Sequence, residues 1–210
     1  MGNPEFALPT LIKIYESKFS LLSVVSNPAN PLGRGKKNRL TPVGEFAKQN
    51  NISLLQPHKL NDPIFLKKLN DFSPDLFIVV AFKIIPDSVL NIPKIGSVNL
   101  HASLLPEYRG AAPIQRAIMN GAQETGITTF LIKKKVDTGS ILFQSKLPIL
   151  DNDTLGTLSE KMAQLGSKIM LKTIEEINKD SATLIKQDNS LATYAPKIGK
   201  IDPSGLRKCD

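Results

Sequence analysis

The run Leu76-Phe77-Ile78-Val79-Val80-Ala81 is apolar at every position. An amphipathic helix or a strand with one wet face would interrupt such a run with polar residues at period 3.6 or 2, whereas a strand covered on both faces need not. A strand of that kind belongs in a parallel sheet, and parallel neighbours must be joined by crossover helices. The flanking sequence supplies them. Thr41 caps a helix that has Pro42 at its first position and runs to about Asn50, and Asp62-Pro63 opens another with Ile64, Phe65, Leu66 and Leu69 on its apolar face. Leu21–Val25, Ile52–Leu55 and Ile95–Leu100 read as further strands. This alternation predicts an α/β fold, a doubly wound, mostly parallel, Rossmann-like sheet.

The pattern changes beyond residue 120. Residues 126–132 and 141–148 are close in sequence with Asp137-Thr138-Gly139 between them, which predicts a hairpin and so an antiparallel addition. A long helix is expected from about Thr154 to Asn178, with Leu155, Leu158, Met162, Leu165 and Ile169 at helical spacing. Thr183–Gln187 is expected to form a last short strand. The chain opens on a loop and helix at Asn3-Pro4-Glu5-Phe6, so the first, normally central, strand is expected to be missing. A sheet without it would leave backbone groups unpaired, and the chain alone is expected to be unstable or weakly active.

With 210 residues, 41% hydrophobic and 22% charged, the chain has room for one large globular domain and is not of disordered composition. Its net charge of +8 favours polyanionic partners, unless it reflects compositional drift. The single cysteine, Cys209, excludes an intramolecular disulfide framework. Neither a secretory leader nor a membrane span is expected: the start lacks a charged region followed by an apolar core, and the longest apolar run is too short for a bilayer.

Three segments can carry chemistry. Asn99 and His101 lie two apart at the end of a strand, so their side chains share a face. An amide donor beside an imidazole can stabilise an oxyanion and move a proton, although an isolated pair of this kind also suits a structural histidine. Asp137 opens Asp-Thr-Gly, where a carboxylate could fix an imidazole tautomer or simply belong to a tight turn. Asn30–Arg39 combines turn formers with Arg34, Lys36, Lys37 and Arg39, either a phosphate-binding loop or a solvated basic one. Lys133-Lys134-Lys135 reads as a charged strand edge that discourages pairing.

Taken together these residues resemble the folate-dependent formyltransferases. The family's linked motifs stand in order: Asn99-x-His101, Ser103-Leu104-Leu105-Pro106, Arg109-Gly110-Ala111-Ala112-Pro113 and Asp137-Thr138-Gly139. Ala111 to Arg116, the basic Gly33 to Lys37 loop and Thr193-Tyr194-Ala195-Pro196-Lys197-Ile198 are similar to the branch that formylates methionyl initiator tRNA. The chain departs from the family at Lys133–Val136, where Asp-x-Gly-x is usual, and in the loop from Val80 to Pro86, which lacks a glycine expected near Phe82 and is one residue short.

The resemblance implies a catalytic domain over residues 1–200, a divergent tail over 201–210 and no C-terminal β-barrel. It implies transfer of a formyl group from 10-formyltetrahydrofolate, a co-substrate, to the α-amine of methionyl initiator tRNA, without a metal. Asn99 and His101 would stabilise the oxyanion, and Asp137 would hold His101 and assist proton transfer. Ser103, Leu104, Leu105 and Pro106, with Val80, Ala81, Phe82 and Ile84, would line the folate pocket. Arg34, Lys36, Lys37 and Arg39 would contact tRNA. A monomer in the bacterial cytosol is expected, or an organellar protein if a leader has been lost. The alternatives are a small acceptor such as glycinamide ribonucleotide or an amino sugar nucleotide, hydrolysis of the formyl-folate, and a non-catalytic fragment. A pure nucleic-acid-binding module fits least, since there is no recognition helix and no aromatic stacking motif.

Overall fold

The computed structural model describes residues 1–32 and 37–199. The chain begins with a short 3₁₀ turn at Glu5–Ala7 and helix α1 (Leu8–Tyr15), followed by strands β1 (Val24–Val25), β2 (Asn30–Leu32) and β3 (Lys37–Arg39). Helix α2 (Pro42–Gln49), strand β4 (Leu54–Leu55), helix α3 (Pro63–Asp71), strand β5 (Leu76–Val80) and helix α4 (Asp87–Leu90) come next. Strand β6 (Gly96–His101), helix α5 (Pro113–Met119), strands β7 (Glu124–Leu131) and β8 (Ile141–Pro148) and helix α6 (Leu155–Asn178) follow, with a 3₁₀ turn at Asn189–Leu191 after them.

Helix starts follow local chemistry. Thr41 Oγ1 accepts from the Gly44 N–H at 3.0 Å, and Asp62 Oδ1 accepts from Ile64 and Phe65 at 2.9 and 3.1 Å. In each case an orphan amide of the first turn gains a partner just before a proline at the first helical position. Thr154 and Thr157 exchange side-chain and backbone bonds at the start of α6 in a reciprocal cap.

β1 pairs with β4 and β5 with β6 in parallel, while β6–β7, β7–β8 and β2–β3 are antiparallel. The result is an α/β fold with parallel strands and a large antiparallel portion. The expected Leu21–Val25 strand contracts to Val24–Val25, because only these residues find partners, at Leu54 and Leu55. Thr183–Gln187 forms no strand and contributes a single bridge from Ile185 to Ile141. Asn30–Arg39 was expected as a loop, yet its ends pair as β2 and β3. Met1 and Gly2 lie between β1 and β5. The Met1 nitrogen donates to Ile78 O at 2.6 Å, Val80 N to Met1 O at 2.9 Å and Gly2 N to Val25 O at 3.1 Å.

β5 alternates as a strand covered on both faces should. Val80 faces a core made with Val98 and Leu100 of β6, α1, α2 and α6, while Phe77 and Val79 face a second core with Phe65 and Leu69 of α3 and Val89 of α4. Asn99 and His101 project on the opposite side of β6 from Val98 and Leu100, by the period-two rule. No described helix is long and apolar enough to cross a membrane.

Candidate functional site

A cleft of about 680 Å³ opens beyond the ends of β5 and β6. Asn99, His101, Gly110 and Asp137 supply its polar side, while Phe82, Ile85 and Phe130 are among its apolar walls. Asn99 and His101 reach it from β6 and Asp137 from the turn joining β7 to β8. The pairing of β6 with β7, which sets His101 opposite Thr128, brings the two sources together.

Asp137 is buried and adopts φ 53°. Its Oδ2 accepts the backbone N–H of Gly110 at 2.8 Å and stands 3.8 Å from His101 Nδ1. That separation is beyond hydrogen-bond length, so imidazole and carboxylate face each other with space between them. His101 Nε2 lies 2.9 Å from the Tyr108 carbonyl oxygen. A carbonyl can only accept, so Nε2 carries the proton and Nδ1 is left toward Asp137. Asn99 is half-buried, and its amide makes no hydrogen bond to another described residue, so its donors are available to a bound group.

Two glycines make the arrangement possible. A Cβ at Gly139 would run into the Leu131 carbonyl, so the Asp-Thr-Gly turn can fold back on the strand end only without a side chain there. Gly110 has φ 125°, and a Cβ there would lie 2.7 Å from Ala195 O. The loop carrying Gly110 is braced by the segment near the chain's end: Arg109 N donates to Thr193 O at 2.9 Å and Ala195 N to Arg109 O at 2.7 Å.

The residues singled out in the sequence are distributed unevenly. Asn99, His101 and Asp137 share the cleft, and Ala81, Phe82 and Ile84 line it. Val80 does not: it is 3% exposed and packs behind the cleft in the core. Ser103, Leu104, Leu105 and Pro106 do not line it either. Their turn is pinned inward, with Thr128 Oγ1 donating to Ser103 O at 2.7 Å, Leu105 N donating to Thr128 Oγ1 at 3.0 Å and Gln144 Nε2 donating to Leu105 O at 2.8 Å. Lys133 and Lys134 border the cleft, so this basic run sits at its mouth and not along a sheet edge. Arg34 and Lys36 lie outside the described residues; Lys37 is in β3, and Arg39 ends that strand exposed to solvent. Sequence reasoning missed Pro4, Phe6 and Leu155 as cleft residues. It also missed the Gly110 amide, for which the Arg-Gly motif was the available signal.

Residues 2–174 match the Formyl transferase family. The chain belongs to the formyl transferase family. A methionyl-tRNA formyltransferase of Acetivibrio thermocellus is 44% identical over 201 residues, covering 95% of this chain and 65% of that protein. The chain thus spans just under two thirds of that relative's length. Among solved structures, an N-formyltransferase from Helicobacter canadensis in complex with folinic acid and dTDP-3-aminofucose has 25% identity and a TM-score of 0.72, covering 96% of this chain and 72% of that one. A sugar 3N-formyl transferase solved in the presence of dTDP and 5-N-formyl-THF has 26% identity and a TM-score of 0.71, covering 96% and 71%. For this formyl transferase the match takes in both β6 and the Asp137 turn.

Proposed function

We propose that this formyl transferase moves a formyl group from 10-formyltetrahydrofolate to the α-amine of methionyl initiator tRNA, with residues 1–200 as the catalytic domain of a doubly wound α/β type. The observation that carries this reading is the convergence of Asn99, His101 and Asp137 on one cleft, with His101 Nδ1 3.8 Å from Asp137 Oδ2. The identity to methionyl-tRNA formyltransferases over 95% of the chain supports the acceptor, and the folate ligands of the solved relatives support the donor.

In this reading the neutral amine attacks the formyl carbon, a C–N bond forms and the carbonyl π pair moves onto oxygen. The Asn99 amide donates to that oxygen, and the His101 imidazole adds to it once Nδ1 has taken up a proton, since its Nε2–H is held by the Tyr108 carbonyl. The attacking nitrogen must lose a proton, and the Asp137–His101 pair receives it. When the intermediate collapses, the bond to N10 of the folate breaks and that nitrogen takes the proton. Positioning and preorganised charge supply the rate. Ala81, Phe82 and Ile84 hold the folate. Arg34, Lys36, Lys37 and Arg39 contact tRNA phosphates, and a monomer in the bacterial cytosol suits such a substrate.

A small amine on a nucleotide is the second acceptor class, favoured by the TM-scores of 0.71 and 0.72 to the two solved sugar formyltransferases. The deciding experiment supplies 10-formyltetrahydrofolate with methionyl initiator tRNA, glycinamide ribonucleotide, an amino sugar nucleotide or no acceptor. Formylation of the tRNA alone is expected. Formylation of a small amine alone, or formate release at the same rate without acceptor, would overturn the proposal.

A further inference from the structure

We propose that Gln187 and Arg109, neither of which lines the cleft, are positioning residues that set the place of Asp137. The inference rests on the reading of Asp137 as part of the transfer site. Gln187 is 5% exposed and Arg109 4%. The Gln187 amide uses both of its ends. Its Nε2 donates to the backbone carbonyls of Asp137 at 3.0 Å and Gly139 at 2.8 Å, the two residues that bracket Thr138. Its Oε1 accepts from Arg109 Nε at 3.1 Å and Nη2 at 2.6 Å, and the same Nη2 donates to Asn189 Oδ1 at 2.9 Å.

The geometry gives one side chain control of two parts of the site. Arg109 immediately precedes Gly110, whose N–H holds Asp137 Oδ2 at 2.8 Å. Gln187 therefore grips the Asp137 turn by its backbone and, through the guanidinium, the loop that grips the Asp137 carboxylate. Asp137 has φ 53°, in the left-handed region that L residues other than Asn and Asp seldom adopt. The two carbonyls also need donors because they are covered. An amide at position 187 meets both demands, since it can donate to the carbonyls and accept from the guanidinium together. A carboxylate there could still accept from Arg109 but could not donate to the turn.

The test compares the parent chain with Gln187→Glu and with Gln187→Met, which has similar length but no polar end. Two quantities are read: amide hydrogen exchange at Gly110, which reports whether Asp137 Oδ2 is in place, and the kinetics of formyl transfer to methionyl initiator tRNA. Both variants are expected to exchange the Gly110 amide about tenfold faster while the β7–β8 ladder amides keep their protection. Each is also expected to lose roughly tenfold to a hundredfold in kcat with an unchanged KM for the folate. Preserved Gly110 protection and kcat in Gln187→Glu would overturn the proposal. Equal loss of ladder protection in both variants would do so too, since Gln187 would then serve overall stability. If the parent formylates no tRNA and yet Gly110 exchange rises selectively in the variants, the acceptor reading fails and the positioning role stands.

Discussion

The backbone N–H of Gly110 donates to Oδ2 of Asp137 at 2.8 Å, tying a loop that follows β6 to a turn that follows β7. The contact depends on Gly110 having no side chain. In Gly110→Ala the methyl would meet Ala195 O at 2.7 Å while φ stayed near 125°. The expected result is a stability loss of about 1–3 kcal/mol together with a fall in turnover. A urea midpoint matching that of the parent would contradict this.

His101→Ala and Asp137→Asn should each cut single-turnover transfer by roughly 10²–10⁴-fold, the range for a positioned acid–base group. In the proposed transfer both act on the same intermediate, so the double variant should lose little more than either single one. Near-parental turnover in either single variant would remove that residue from the site.

Arg39 stands exposed at the end of β3, next to the basic stretch proposed to contact tRNA. In Arg39→Ala the slope of log affinity for charged tRNA against log salt should fall by roughly one contact, with folate affinity unchanged. Arg34→Ala, outside the described residues, should behave in the same way. An unaltered salt slope would place the tRNA elsewhere.

Asp153 offers a pH test away from the cleft. A hydrogen bond from Lys161, and then the Leu150 N–H and Thr157, hold its carboxyl below the ordinary 3.8, at about 2. A carboxylate with a depressed folded value stabilises the fold above its unfolded value, and the contribution disappears as pH falls through the folded one. The stability difference between parent and Asp153→Asn should thus be constant above about pH 4 and shrink between 4 and 2. A difference independent of pH over that window would exclude the effect.

What could be read in advance was chemistry that repeats locally. Thr41 and Asp62 cap the expected helices because a cap needs only the next few residues. Asn99 and His101 fall on one face because strand geometry has period two. Asp137 was visible through the glycine two residues later, which the Leu131 carbonyl demands. The partners that hold these residues were not visible. Arg109 and Gln187 are 78 positions apart, and no pattern of spacing announces their pairing. Ser103–Pro106 turned inward because Thr128 and Gln144 offered bonds from the neighbouring hairpin. Ile185 remained a single bridge because strand formation needs a continuous partner edge, which propensity alone cannot reveal.

β6 is the strand where the two kinds of ladder meet, parallel toward β5 and antiparallel toward β7, and its pairs with β7 run from Val98↔Leu131 to His101↔Thr128. The groups proposed to react are therefore divided between the two sides of a short zipper. If it opened, the first core would open with it, because Val98 and Leu100 of β6 and Ile127 of β7 are packed there. The spacing of the proposed acid–base pair is thereby tied to the integrity of that core.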